Sequence, residues 1–182
     1  EGSNSGVTPE SGSWTSQDDT LPADIVIINA DLAHTNLELL EQKNQDQPQK
    51  FWDKAVMAPS AFMLYLGIKG KVKGLEHHTL FFDNDWEEHF DEVFSKPTWP
   101  DKPSYYICTP SKTDPSVAPE GYENVFVLVP VASGLEDTNE IRKTYREKIL
   151  NHLEEITGEE IKSRIVSETV HTHRDFKHMY NA

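Results

Sequence analysis

Cysteine is nearly absent from this sequence: Cys108 stands alone among 182 residues. An internal disulfide is thereby excluded, a cysteine-rich zinc site is not encoded, and a reducing compartment fits best. Basic residues are scarce too. Lys and Arg number 17 against 31 Asp and Glu, a formal net charge of −14, which argues against a surface that gathers nucleic acid phosphates. Local apolar contact with a membrane stays open. No apolar run approaches the length of a membrane span. Glu1 to Asp19 is polar and lacks the apolar stretch of a signal peptide. Self-sufficient catalytic motifs are missing as well: there is no Gly-x-Gly-x-x-Gly, no P-loop and no Gly-x-Ser-x-Gly. Cys108 has no evident base partner.

What is present is the make-up of one globular domain, 36% hydrophobic and 26% charged. Four β-branched residues in a row, Ile25 to Ile28, predict a short strand buried on both faces. Pro22 precedes them, and Asn29-Ala30-Asp31 stops them, with Asp31 placed to cap a helix from Leu32. Upstream, Glu1 to Gln17 is rich in Gly, Ser, Asn and Thr and reads as a leader or long loop, with Val7 and Trp14 as hairpin remnants. A chain that starts at Glu1 reads as an excised piece.

Further along, strands are expected at Ser60–Ile68, His78–Phe82, Ser104–Thr109, Asn124–Val131 and Ile165–Val170. Asp85 opens a helix, with Glu88 completing a capping-box pattern and Trp86, Phe90, Val93 and Phe94 as its apolar face. The longest helix runs from Asp137 to Ile156 and stops at Gly158. A short helix follows Thr172. The order β-α-β-β-α-β-β-α-β-α suggests an α+β fold: a mixed sheet with helices packed mainly on one face.

The histidines offer little at this level. His77 and His78 are neighbours, and strand alternation would turn their rings to opposite faces and keep them from sharing a metal. His171 and His173 would share a strand face only if the strand ran on that far, and no third ligand is visible. His34 and Asp31 read as a surface histidine and a cap.

Four stretches, in order, carry a family resemblance. They are Ala23 to Leu32; Phe62 to Gly67 with Leu75 to Phe82; Phe90 to Phe94 with Pro103 to Cys108; and Pro110 to Gly121 running into Val127 to Val131. The chain resembles the central part of the bacterial-type phytoene desaturases, FAD-dependent carotenoid desaturases, from about Leu21 to its end. The resemblance implies a two-part flavoprotein. A substrate domain with a sheet roofing a long apolar tunnel is inserted into an FAD domain, and carbon–carbon single bonds of a polyene are oxidised by the cofactor. It divides this chain into a leader over 1–20 and a substrate domain over 21–182, with 21–32 as a flanking strand of the FAD domain.

On the matched positions, Asn29, Ala30 and Asp31 would approach the cofactor, and Phe62, Tyr65, His78, Phe81 and Tyr106 would line the tunnel; core packing is the competing reading for each of these five. The dinucleotide fingerprint of the family is absent, so FAD is expected on other parts of a longer enzyme and this piece alone is expected to be inactive. Implied partners are a long apolar polyene and, peripherally, a membrane, in the cytoplasm. Two alternatives remain: a non-catalytic module binding an apolar ligand or a partner, and another flavin oxidoreductase, such as an amine oxidase or carotenoid isomerase.

Overall fold

A computed structural model describes residues 22–82 and 85–181. The leader with Val7 and Trp14, the Thr20-Leu21 entry, and Asp83-Asn84 lie outside the described residues.

The sheet is built on two ten-residue strands, β1 (Ser60–Lys69) and β4 (Tyr122–Val131), paired antiparallel from Ser60↔Val131 to Lys69↔Tyr122. β5 (Ile165–His171) adds to the free side of β1, and β3 (Tyr105–Cys108) to the free side of β4. β2 (His78–Phe81) forms the far edge, giving the order β2-β3-β4-β1-β5. The α+β class holds. The sheet is antiparallel in every pairing rather than mixed, because strand neighbours are joined by returns and not by same-direction crossovers.

Period-two alternation divides the residues between two faces. Phe62, Leu64, Leu66 and Ile68 meet Val125, Val127, Val129 and Val131 on the buried face. The long helix α4 (Asn139–Thr157) covers that face with Tyr145, Ile149, Leu150 and Leu153. It starts two residues later than expected. Thr138 is the N-cap, accepting from the Ile141 amide at 3.2 Å, and Gly158 closes the other end at φ 68°. Asp137 is thereby freed for another task. It accepts from Arg142 Nε at 2.7 Å and from the Thr172 hydroxyl at 2.5 Å. Thr172 caps α5 (His173–Tyr180) in a capping box with Asp175, and Arg142 reaches Asp175 at 2.8 Å. This network ties the start of α4 to the start of α5. A second buried charge, Glu123, accepts from the Val72 amide at 2.8 Å and pairs with Lys112 at 3.0 Å.

Two expectations fail, and one condition is not met. Ile25–Ile28 is not a strand: the residues are exposed, Ile27 at 91%, since no described strand lies beside them. In α3 (Trp86–Phe90) and the π-helical turn after it (Asp91–Ser95), Trp86, Phe90 and Phe94 are exposed and only Val93 of the expected face is buried. His89 takes the inward position because it bridges two backbone groups. The Ser104 amide donates to Nδ1 at 3.0 Å and Nε2 donates to the Pro130 carbonyl at 2.8 Å, which fixes a neutral ring. Asp85 does cap α3, accepting from the Glu87 amide. Finally, His171 ends β5 while His173 begins α5 and donates to the Leu135 carbonyl, so the two do not share a strand face.

Candidate functional site: the open face of the sheet

The face opposite α4 carries Ala61, Met63, Tyr65 and Gly67 of β1 beside Pro130, Leu128, Phe126 and Asn124 of β4. Ten residues at ~3.3 Å each make this floor roughly 33 Å long. It is apolar from the Ala61–Pro130 pair to the Tyr65–Phe126 pair, turns polar at Asn124, and is not packed by a long helix. At the β1 start it deepens into a cavity of about 1280 Å³. Met63, Leu128 and Pro59 form its base, Phe176 of α5 one wall, and Ala33 and Leu37 another. The last two belong to α1 (Leu32–His34) and the π-helical turn that continues it (Thr35–Leu39), ahead of the short helix α2 (Gln49–Trp52). That wall is held by buried Asn36, which donates to the Gln47 carbonyl at 2.6 Å and accepts from the Asp46 amide at 2.9 Å. Toward the other end the floor continues past a Tyr65–Phe126 ring pair, 5.2 Å between centroids, into a shallower hollow of about 500 Å³.

Tyr65 sits at the centre. It is 41% exposed, its hydroxyl leans on the Met63 sulfur at 3.9 Å, and partial burial, helped by nearby Tyr180, pushes its phenol above the usual value. Tyr106 extends the same face on β3, with its ring 6.2 Å from Phe126. Beyond it, His78 of β2 closes the face with a polar end, its Nδ1 2.6 Å from the Tyr106 hydroxyl.

The five tunnel residues expected from the sequence therefore separate. Tyr65, His78 and Tyr106 share the open face. Phe62 and Phe81 do not: alternation turns them under α4, where Phe62 (0% exposed) packs on Tyr145 and Phe81 on Tyr105. Sequence reasoning missed Met63, Phe126 and Leu128. The signal was available, because once Tyr65 is assigned outward, period two assigns Met63 with it.

Asp31 behaves as the expected cap, accepting from the His34 amide at 2.8 Å, and Asn29 and Ala30 are exposed beside it. This corner does not by itself fit a flavin dinucleotide. The described residues contain no glycine-rich strand-to-helix turn there, and Asp31 is already committed to the helix start.

His77 breaks the alternation rule invoked for it. It precedes β2, with its carbonyl accepting from the Thr109 amide at 2.8 Å, and its ring lies alongside that of His78, centroids 4.3 Å apart at 36°. Cys108, the cross-strand partner of His78, is close to both. Hydrogen bonding to Cys108 raises the Tyr106 phenol. Among the described residues no helix is long and apolar enough to cross a membrane.

No protein-family model matches the chain. Curated relatives do. The chain is 50% identical over 164 residues to a carotenoid 3,4-desaturase of Haloarcula japonica, covering 90% of this chain and 33% of that protein. It is 31% identical over 191 residues to a phytoene desaturase of Neurospora crassa, covering 100% and 32%. It is 30% identical over 181 residues to a 4,4'-diaponeurosporene oxygenase of Staphylococcus haemolyticus, covering 97% and 34%. The chain spans about a third of the length of these relatives.

Proposed function

Because this chain belongs to the phytoene desaturase family of carotenoid oxidoreductases, we propose that its open sheet face is the polyene-binding wall of a longer carotenoid desaturase. The reaction is oxidation of carbon–carbon single bonds in phytoene or a related isoprenoid. The observation that carries this reading is the continuous apolar floor along β1 and β4, with Tyr65 and Phe126 at its centre. A rigid, unbranched hydrocarbon needs such a surface: long, apolar and bounded by few polar groups. Tyr65 and Tyr106 contribute ring area, and His78 marks a polar limit at one end. Asn29, Ala30 and Asp31 stand at the junction with the part of the enzyme that would hold FAD.

FAD is the oxidant implied by the family likeness, and segments outside this chain would supply its site. What the described residues contribute is orientation and water exclusion. The substrate arrives from a membrane in this reading, and the exposed Trp86–Phe90–Phe94 ladder, with successive centroids 5.7 and 5.8 Å apart, supports peripheral contact at neutral lipid.

A second reading, oxygenation of a carotenoid end group, is favoured by the oxygenase relative that matches 97% of the chain. Product analysis decides. The full-length enzyme, given phytoene in liposomes, should yield more desaturated polyenes by chromatography and mass spectrometry. Leu128→Glu on the floor should abolish turnover with the fold intact. Oxygenated products alone would favour the second reading, and unchanged turnover in Leu128→Glu would refute the placement on this face.

A further inference from the structure

We infer that His77, His78 and Cys108 form a three-ligand site for a borderline-soft divalent cation, of which Zn2+ is the best fit. One ligand atom from each residue lies within 4.8 Å of the others. The two imidazoles and one thiol match zinc's preferred donors, and the softness of the sulfur excludes Mg2+ and Ca2+. Each ring already has one nitrogen held by a hydroxyl. His77 Nδ1 is 2.5 Å from the Thr113 hydroxyl and His78 Nδ1 is 2.6 Å from the Tyr106 hydroxyl. With each Nδ1 held by a hydroxyl, Nε2 is the nitrogen left to ligate, and Thr113 and Tyr106 act as positioning residues.

Tetrahedral zinc with Zn–N ~2.0–2.1 Å and Zn–S ~2.3 Å puts its ligand atoms about 3.4–3.6 Å apart. Exposed His78 and half-buried His77 close the difference by side-chain rotation. Cys108 is partly accessible, so its thiol loses its proton to solvent as the metal binds. A fourth position stays open to water. The cation would staple the edge strand β2 to β3 at the polar end of the open face.

The test uses the full chain, purified without a polyhistidine tag and titrated with Co2+, then Zn2+. One Co2+ per chain should give the thiolate charge-transfer band and strong visible bands of a tetrahedral ion, both erased by Zn2+. Cys108 is the only thiol, so that band reports this site alone. Cys108→Ser should lose the band and bind Zn2+ at least tenfold more weakly, Thr113→Val about 10–100-fold more weakly with the band retained, and His178→Ala should match the wild type. A saturated wild-type titration without the thiolate band would overturn the site, as would undiminished Zn2+ affinity in Cys108→Ser. Neither readout depends on carotenoid turnover, so this inference and the proposed function fail separately.

Discussion

Two aromatic positions on β1 give a sharp test of which face is core. Phe62 is fully buried against Trp99 and Tyr145, with ring centroids 6.1 and 5.0 Å away, under α4. Truncating it to alanine removes the transfer energy of the ring and leaves a cavity that rigid strands cannot close. The loss is about 3–5 kcal/mol. Tyr65, three residues on and facing the other way, is 41% exposed, and its main packing partners are Phe126 and His171, at 5.2 and 5.5 Å. Tyr65→Ala forfeits ring-pair contact worth about 1 kcal/mol. For a domain of this size each kcal/mol moves the melting midpoint by about 2–4 °C. Phe62→Ala should therefore lower it by roughly 6–20 °C, and Tyr65→Ala by roughly 2–4 °C. Urea denaturation followed by circular dichroism, with unchanged slope in both variants, supplies the free energies. In a polyene-binding assay the order should reverse: Tyr65→Ala weakens binding, while surviving folded Phe62→Ala keeps it. Equal destabilisation, or a larger loss at Tyr65, would refute the assignment of faces.

Other consequences concern polar groups inside the fold. The Tyr145 hydroxyl is buried without a hydrogen-bond partner among the described residues, and burial pushes its phenol far up; Tyr145→Phe should stabilise the chain by about 1 kcal/mol in urea melts. Burial opposes the charges of Asp137 and Asp175, but hydrogen bonds from Arg142 and Thr172 outweigh it and hold both carboxyls below their ordinary value. Their folded values lie under the unfolded ones, so this stability is complete above about pH 4 and lost as pH falls through the folded values. Urea midpoints measured from pH 7 to pH 2 should drop on the acid side, and Arg142→Met should flatten that drop.

Where residues obey one periodicity, the sequence is readable. Strands β1 and β4, helix α4 with its Gly158 stop, and the Thr172 cap all follow from local pattern and end chemistry. The failures occur where a partner outside the local pattern decides. His89 displaces Phe90 from the core because two backbone groups, on Ser104 and Pro130, need its ring nitrogens. Ile25–Ile28 has the composition of a strand, but pairing partners make a strand, and none is beside it among the described residues. His77 escapes alternation because it stands one residue before β2 begins, a boundary too fine for composition to locate. The five residues expected to line a tunnel lie on β1, β2 and β3, and family likeness could not tell their faces. Phe62 and Tyr65 sit on the same strand, and only the position of α4 separates core from open surface.

The central claim, that the open face of this sheet carries the polyene, is tested most directly by photocrosslinking. A diazirine-bearing isoprenoid would be bound to the full-length enzyme, irradiated, and the labelled peptides mapped by mass spectrometry. The account predicts label on the outward positions of β1 and β4, namely Met63, Tyr65, Phe126 and Leu128. It also predicts competition by phytoene. Label confined to other segments, in enzyme that still turns over its substrate, would contradict it.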